Sequence, residues 1–146
     1  MSALAKVRVT VTVAVEPDMA FRVFTEDFDE WYRTGSVALG PHRRHGGTLH
    51  FEPGPDGRLV ERRPDGRDIE RACITTWEPG ERLVFVDRRH TEVEVLFEAV
   101  PEGTRVVLEH RGLDRLPPGQ AADIAKYGWR RLADWFESHL AERTHP

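Results

Sequence analysis

Residues 121–143 read AADIAKYGWRRLADWFESHLAER, and this stretch decides the fold. It contains no proline, and Ile124, Ala125, Gly128, Trp129, Leu132, Trp135, Phe136, His139 and Leu140 recur at helical spacing. Pro117-Pro118-Gly119 marks its start. At 1.5 Å per residue, roughly 23 residues make a helix about 35 Å long, enough to cross a small sheet. Gly128 sits mid-helix, where glycine costs about 1 kcal/mol relative to alanine. Two readings account for it: close helix–sheet contact, or room left for a ligand.

Upstream, the pattern changes to period two. Val7, Val9, Val11, Val13 and Val15 alternate with Arg8, Thr10, Thr12 and Ala14, which predicts a half-buried strand. Glu16-Pro17-Asp18 then favours a helix start. Phe21, Val23, Phe24, Phe28 and Trp31 place an apolar face on a helix over 17–25 and a second turn over 27–33. The Gly- and Pro-rich stretch 40–47 reads as a loop. Alternating segments follow at 48–52, 58–62, 69–77, 83–87, 91–100 and 104–111, separated by Asp-Gly, Pro-Gly and Glu-Gly turn signals and by an Arg88-Arg89-His90 turn. That is an antiparallel meander. Val93, Val95, Phe97 and Ala99 share one face of its clearest strand, and Glu92, Glu94 and Glu98 the other, so one face is packed and one is wet. The packed face needs a cover, and the C-terminal helix is the one large candidate.

Composition narrows the class. With 146 residues, the expectation is one α+β domain spanning 1–146, large enough for a core without metal or disulfide staples. A net charge of −4 argues against an electrostatic grip on nucleic acid. No apolar run approaches the ~20 residues of a membrane helix, and Met1–Lys6 lacks the apolar core of a signal peptide. Cys73 is the one cysteine, so no intrachain disulfide forms and the expected compartment is the reducing cytoplasm.

Several pieces in order carry a family resemblance: residues 16–25 (EPDMAFRVFT), Trp31, Gly46-Gly47, residues 77–83 (WEPGERL), residues 103–108 (GTRVVL) and residues 128–132 (GWRRL). Together they resemble the START-like helix-grip (SRPBCC) superfamily, and within it the family named after the activator of heat-shock protein 90 ATPase. The resemblance runs from about Val7 to Leu140. It implies a curved antiparallel sheet wrapped around the C-terminal helix, two short helices after the first strand, and an apolar cavity between sheet and helix. It specifies architecture rather than activity, and the co-chaperone behind the family name has an additional domain that this chain has no room for.

The aromatic residues suggest what such a cavity would hold. Trp31, Trp77, Phe97, His110, Tyr127 and Trp129 are the candidate lining residues: apolar walls with a few oriented polar groups suit a small hydrophobic or aromatic molecule. Trp129 also has a packing role in the resemblance. Alternation places His110 on the packed face with Val106 and Leu108, as a satisfied core residue or, alternatively, as a ligand-contacting or acid/base group. The first reading is therefore a non-catalytic ligand-binding protein without cofactor. The second is a cyclase, dehydratase or hydrolase using the same cavity, with His110 as acid/base. The third is a protein that stimulates a chaperone ATPase through the acidic face of 91–100. A homodimer through an exposed edge strand is a further partner reading.

The remaining chemistry-bearing residues have plainer readings. His42 and His45 lie in a basic loop without matching metal ligands, so no metal is expected. Cys73 reads as a small buried hydrophobe. Asp27, Asp29 and Glu30 form an acidic turn or an acid/base pair. His139 reads as a cap near the helix carboxyl end, and Lys126, Arg130 and Arg131 as a solvated face.

Overall fold

Alternating valines build β1 (Lys6–Val13), in which Val9 and Val13 are buried and Arg8, Thr10 and Thr12 exposed. The computed structural model describes residues 5–32 and 47–144, with Tyr127, Gly128 and Thr144 described by backbone alone. Pro17, whose fixed φ suits a first helical position, opens α1 (Pro17–Glu26), and α2 (Phe28–Trp31) follows. The meander is β2 (Thr48–Phe51), β3 (Arg58–Arg62), β4 (Asp68–Glu78), β5 (Arg82–Asp87), β6 (Glu92–Val100) and β7 (Gly103–Arg111). A 3-10 turn (Leu113–Arg115) then leads to α3 (Pro118–Asp123), a π turn (Ile124–Gly128) and α4 (Trp129–Thr144).

All seven strands form one antiparallel sheet in the order β1-β7-β6-β5-β4-β3-β2. The meander supplies the local pairings, and β1 closes on the last strand, β7. Gly103 allows that closure. A Cβ there, at φ +138°, would sit 2.2 Å from the Val13 carbonyl oxygen. The sheet curls around the C-terminal helical segment, which is the helix-grip arrangement the resemblance implied.

The register aligns inward side chains in rows. Val7, His110, Val93, Phe85 and Ile74 form one row across five strands, and Val9, Leu108, Val95, Leu83 and Trp77 the next. Even-numbered Ile74 and odd-numbered Trp77 share the inner face because Thr75 is an extra residue in a bulge between Ile74 and Thr76. The same parity turns Cys73 outward. It is exposed beside Glu70, its Sγ 3.5 Å from Glu70 Oε2, which corrects the buried-hydrophobe expectation.

The C-terminal element also differs from the single α-helix expected over 121–143. It begins at Pro118 and is interrupted by the π turn, which accommodates an extra residue beside Gly128, a weak helix former. The two parts sit differently. α4 lies along β1, with Trp129, Leu132, Ala133, Phe136 and Leu140 buried. α3 and the π turn have each other, the 3-10 turn and α4 as their main backbone neighbours. No helix among the described residues is long and apolar enough to cross a membrane.

Candidate functional site

Two polar and aromatic groupings occupy the space between sheet and helix. The first is a chain of rings. Trp77 meets Phe21 edge-on at 5.1 Å, Phe21 meets Phe97 at 5.3 Å, and Phe97 meets Phe24 at 6.1 Å. Phe24 then packs on Trp31 at 5.0 Å and on Phe136 of α4 at 5.3 Å. Edge-to-face geometry of this kind contributes beyond the buried area. Trp31 satisfies its indole by donating to the Phe24 carbonyl at 3.1 Å. The structure thus brings Trp31, Trp77 and Phe97 together, with Trp31 and Phe97 buried and Trp77 half-buried.

The second grouping centres on His110, which is fully buried. The Trp129 indole donates to His110 Nδ1 at 2.8 Å, so that nitrogen carries a lone pair and the proton resides on Nε2. Nε2 in turn donates to Thr91 Oγ1, also at 2.8 Å. Burial lowers the pKa of the ring from 6.5 to about 4; Asp87 opposes the shift, and Arg89 adds to it. Asp87 accepts from the backbone N–H groups of Arg89 and Thr91 and from the Arg89 guanidinium, which holds the β5–β6 turn and Thr91 in place. His110 is therefore neutral at ordinary pH, with both ring nitrogens engaged by protein groups. A general acid/base needs a free nitrogen and a pKa near the working pH, so this geometry does not support that role for His110. Tyr127 falls in the π turn, and its side chain lies outside the described residues.

The wet face of β6 corrects another expectation, that of an acidic docking surface. Glu94 accepts from Arg82 and Arg111, and Arg111 also pairs with Glu92 and Glu109. Arg8 donates to Glu109, while Arg105 stands opposite Glu98 in register. Partial burial pushes the Glu94 carboxyl up, but hydrogen bonds from Arg111 and Arg82 outweigh it and hold the pKa below the usual value. Bonds from Arg111 and Arg8 do the same for Glu109. Four arginines thus face four glutamates, and the face is charge-balanced.

The acidic turn separates into distinct roles. Asp29 accepts from the Leu49 backbone N–H at 2.8 Å and anchors β2. Asp27 Oδ2 lies 3.0 Å from His139 Nε2 and receives Arg143 Nη1 at 2.5 Å, with Glu30 3.7 Å from the same His139 nitrogen. His139 is therefore a tether between the α1–α2 junction and the middle of α4 rather than a cap. Sequence spacing carried no signal for this cluster, in which Asp27 and His139 are 112 positions apart, nor for Thr91 as the partner of His110. Lys126, Arg130 and Arg131 are exposed. His42 and His45 lie outside the described residues.

Comparison with known proteins places this geometry in a family. Residues 14–141 match the family described as Activator of Hsp90 ATPase homolog 1-like protein. The chain belongs to that family. Among solved structures, this family member is similar to protein MLL2253 from Mesorhizobium loti, with a TM-score of 0.68, 21% identity, and 97% of this chain and 99% of that chain covered. It is also similar to an AHSA1-like protein from Aeromonas hydrophila (TM-score 0.64, 19% identity, coverage 95% and 94%). A third likeness is to CalC, a self-sacrificing resistance protein from Micromonospora echinospora (TM-score 0.64, 23% identity, coverage 95% and 96%). At these identities the likeness shows the fold. No curated protein matches the sequence.

Proposed function

We propose that this protein binds a small hydrophobic or aromatic molecule between the curled sheet and the α3–π segment, and holds it without transforming it. The observation that carries this reading is the contrast along the C-terminal element. α4 lies against β1, while the main backbone neighbours of α3 and the π turn are other helical segments. The inner sheet rows are apolar, and with Val93, Phe85 and Ile74 fully buried a ligand enters by parting packed side chains; apolar walls with few polar groups suit such ligands. The lining candidates to test are still Trp31, Trp77, Phe97, His110, Tyr127 and Trp129, with His110 and Trp129 acting as a fixed polar pair in the wall. The engaged nitrogens of His110 favour binding over the cyclase, dehydratase or hydrolase reading. Charge balance on the β6 face leaves the chaperone reading without the acidic surface it invoked.

Thermal unfolding against a library of aromatic, fatty and polyketide-like compounds tests the proposal. The likeness to a self-sacrificing resistance protein is a reason to include toxic small molecules. A ligand at 100 times its Kd adds about 2.7 kcal/mol, which raises Tm by several degrees in a domain of this size. A chemically coherent set of hits that also perturbs tryptophan fluorescence supports the reading. A well-folded protein with no shift across the library overturns it and turns attention to stimulation of a purified chaperone ATPase.

A further inference from the structure

We infer that Asp27, Glu30 and His139 form a binding site for a divalent transition-metal cation, Zn2+ being the best fit, at the junction of α1, α2 and α4. The three side chains each present one ligand atom, and these atoms all lie within 4.8 Å of one another. The His139 Nε2 distances of 3.0 Å to Asp27 and 3.7 Å to Glu30 bracket the roughly 3.3–3.5 Å separating two ligands of one tetrahedral ion. One imidazole and two carboxylates suit Zn2+ better than Ca2+ or Mg2+, which prefer all-oxygen shells. Three protein ligands leave a fourth position for water.

The site is partly built already. The side chains of Asp27 and His139 are 15% and 17% exposed, so the two ligands are held in place by packing, while Glu30 at 65% sits on the solvent side. Asp27 is the residue between α1 and α2 and caps both, so its position is tied to the backbone. Arg143, one turn beyond His139 on α4, supplies positive charge to Asp27 Oδ2 in the metal-free arrangement. It is 45% exposed and bonded to that same carboxylate oxygen, so it competes with the cation for it. Metal binding would replace a screened ion pair with a cross-link between residues 27–30 and α4, and would raise the melting temperature.

The test uses untagged, metal-free protein carrying Cys73→Ser, because the exposed thiol beside Glu70 is an independent soft ligand. Calorimetric titration with Zn2+ is expected to show one equivalent bound, and Co2+ substitution to give the visible absorption of a four-coordinate site with nitrogen and oxygen ligands. His139→Ala and Glu30→Gln are each expected to weaken binding at least tenfold. Glu30 is exposed, so the Gln variant separates loss of a ligand from loss of fold. Arg143→Ala is expected to tighten binding at least threefold by removing the competing cation. A double His42→Ala/His45→Ala variant should bind normally. Absence of Zn2+ binding, binding untouched by His139→Ala and Glu30→Gln, binding lost in the loop variant, or an Arg143→Ala protein that binds no tighter would each overturn the assignment.

Discussion

The two halves of the sheet–helix interior are held by different physics. Around Phe24 the interior is closed by rings: Phe28, Trp31, Phe51, Phe97 and Phe136 all lie within 6.4 Å of it, centroid to centroid. Such contacts are individually weak and collectively strong, and they are indifferent to pH. Around His110 the interior is closed by a three-member relay, Trp129 to His110 to Thr91, whose strength depends on each donor facing an acceptor. The first half joins α1, α2 and α4 to the sheet. The second ties β7 and the β5–β6 turn to the residue that follows the π turn. Dispersion holds the middle of α4 through Phe136, and directional bonding holds its start, where the helical segment departs from α geometry.

The largest test of that contrast is Phe24→Ala. Truncating a fully buried ring at the centre of the cluster should cost about 3–5 kcal/mol, read as a lowered denaturation midpoint with no added pH dependence. A loss below 1 kcal/mol would mean the cluster repacks around the gap.

The relay half should instead respond to acid. His110 has a folded pKa of about 4 against an ordinary 6.5, so between these values the unfolded chain binds more protons than the native one. Stability is then full above pH 6.5 and falls as the pH drops towards 4, by roughly 3 kcal/mol from this group. Unfolding curves at a series of pH values check it, with His110→Gln expected to flatten that segment. An unchanged slope in the variant would assign the acid sensitivity to other groups.

Trp129→Phe removes the indole donor while keeping an aromatic ring beside His110. Leaving Nδ1 buried and unpartnered should cost about 1–3 kcal/mol. It should also raise amide exchange in α3 and the π turn ahead of α4, and uniform exchange along both would deny the relay its anchoring role. The smallest effect belongs to the outer face, where Arg82→Ala leaves Glu94 with Arg111. Its expected cost is below about 1 kcal/mol and shrinks with added salt. A larger, salt-insensitive loss would mean the charge ladder is as structural as the interior.

Much of the fold was legible because its signals are local. Valine alternation in β1, the turn signals between strands and the proline starts of α1 and α3 all act within a few residues. The parity of β4 was not legible, since a bulge at Thr75 obeys the partner strand rather than its own neighbours; Cys73 was misread for that reason. Of the candidate site, the face of His110 followed from alternation with Val106 and Leu108, and the gathering of Trp31, Trp77 and Phe97 was anticipated in outline. What His110 does there was not, because Thr91 and Trp129 each lie 19 residues away on different elements.

The sequence by itself determined the element order, the inner and outer faces of most strands, and membership of a helix-grip family, because hydrophobic period and turn chemistry are written residue by residue. Tertiary structure alone decided that His110 is a neutral, doubly bonded wall residue, that the glutamates of β6 are matched by arginines, and that Asp27 and His139 meet. Those outcomes depend on which side chains arrive within about 3 Å of one another, and hydrogen bonds and ion pairs are decided at that range. No periodicity along the chain encodes it.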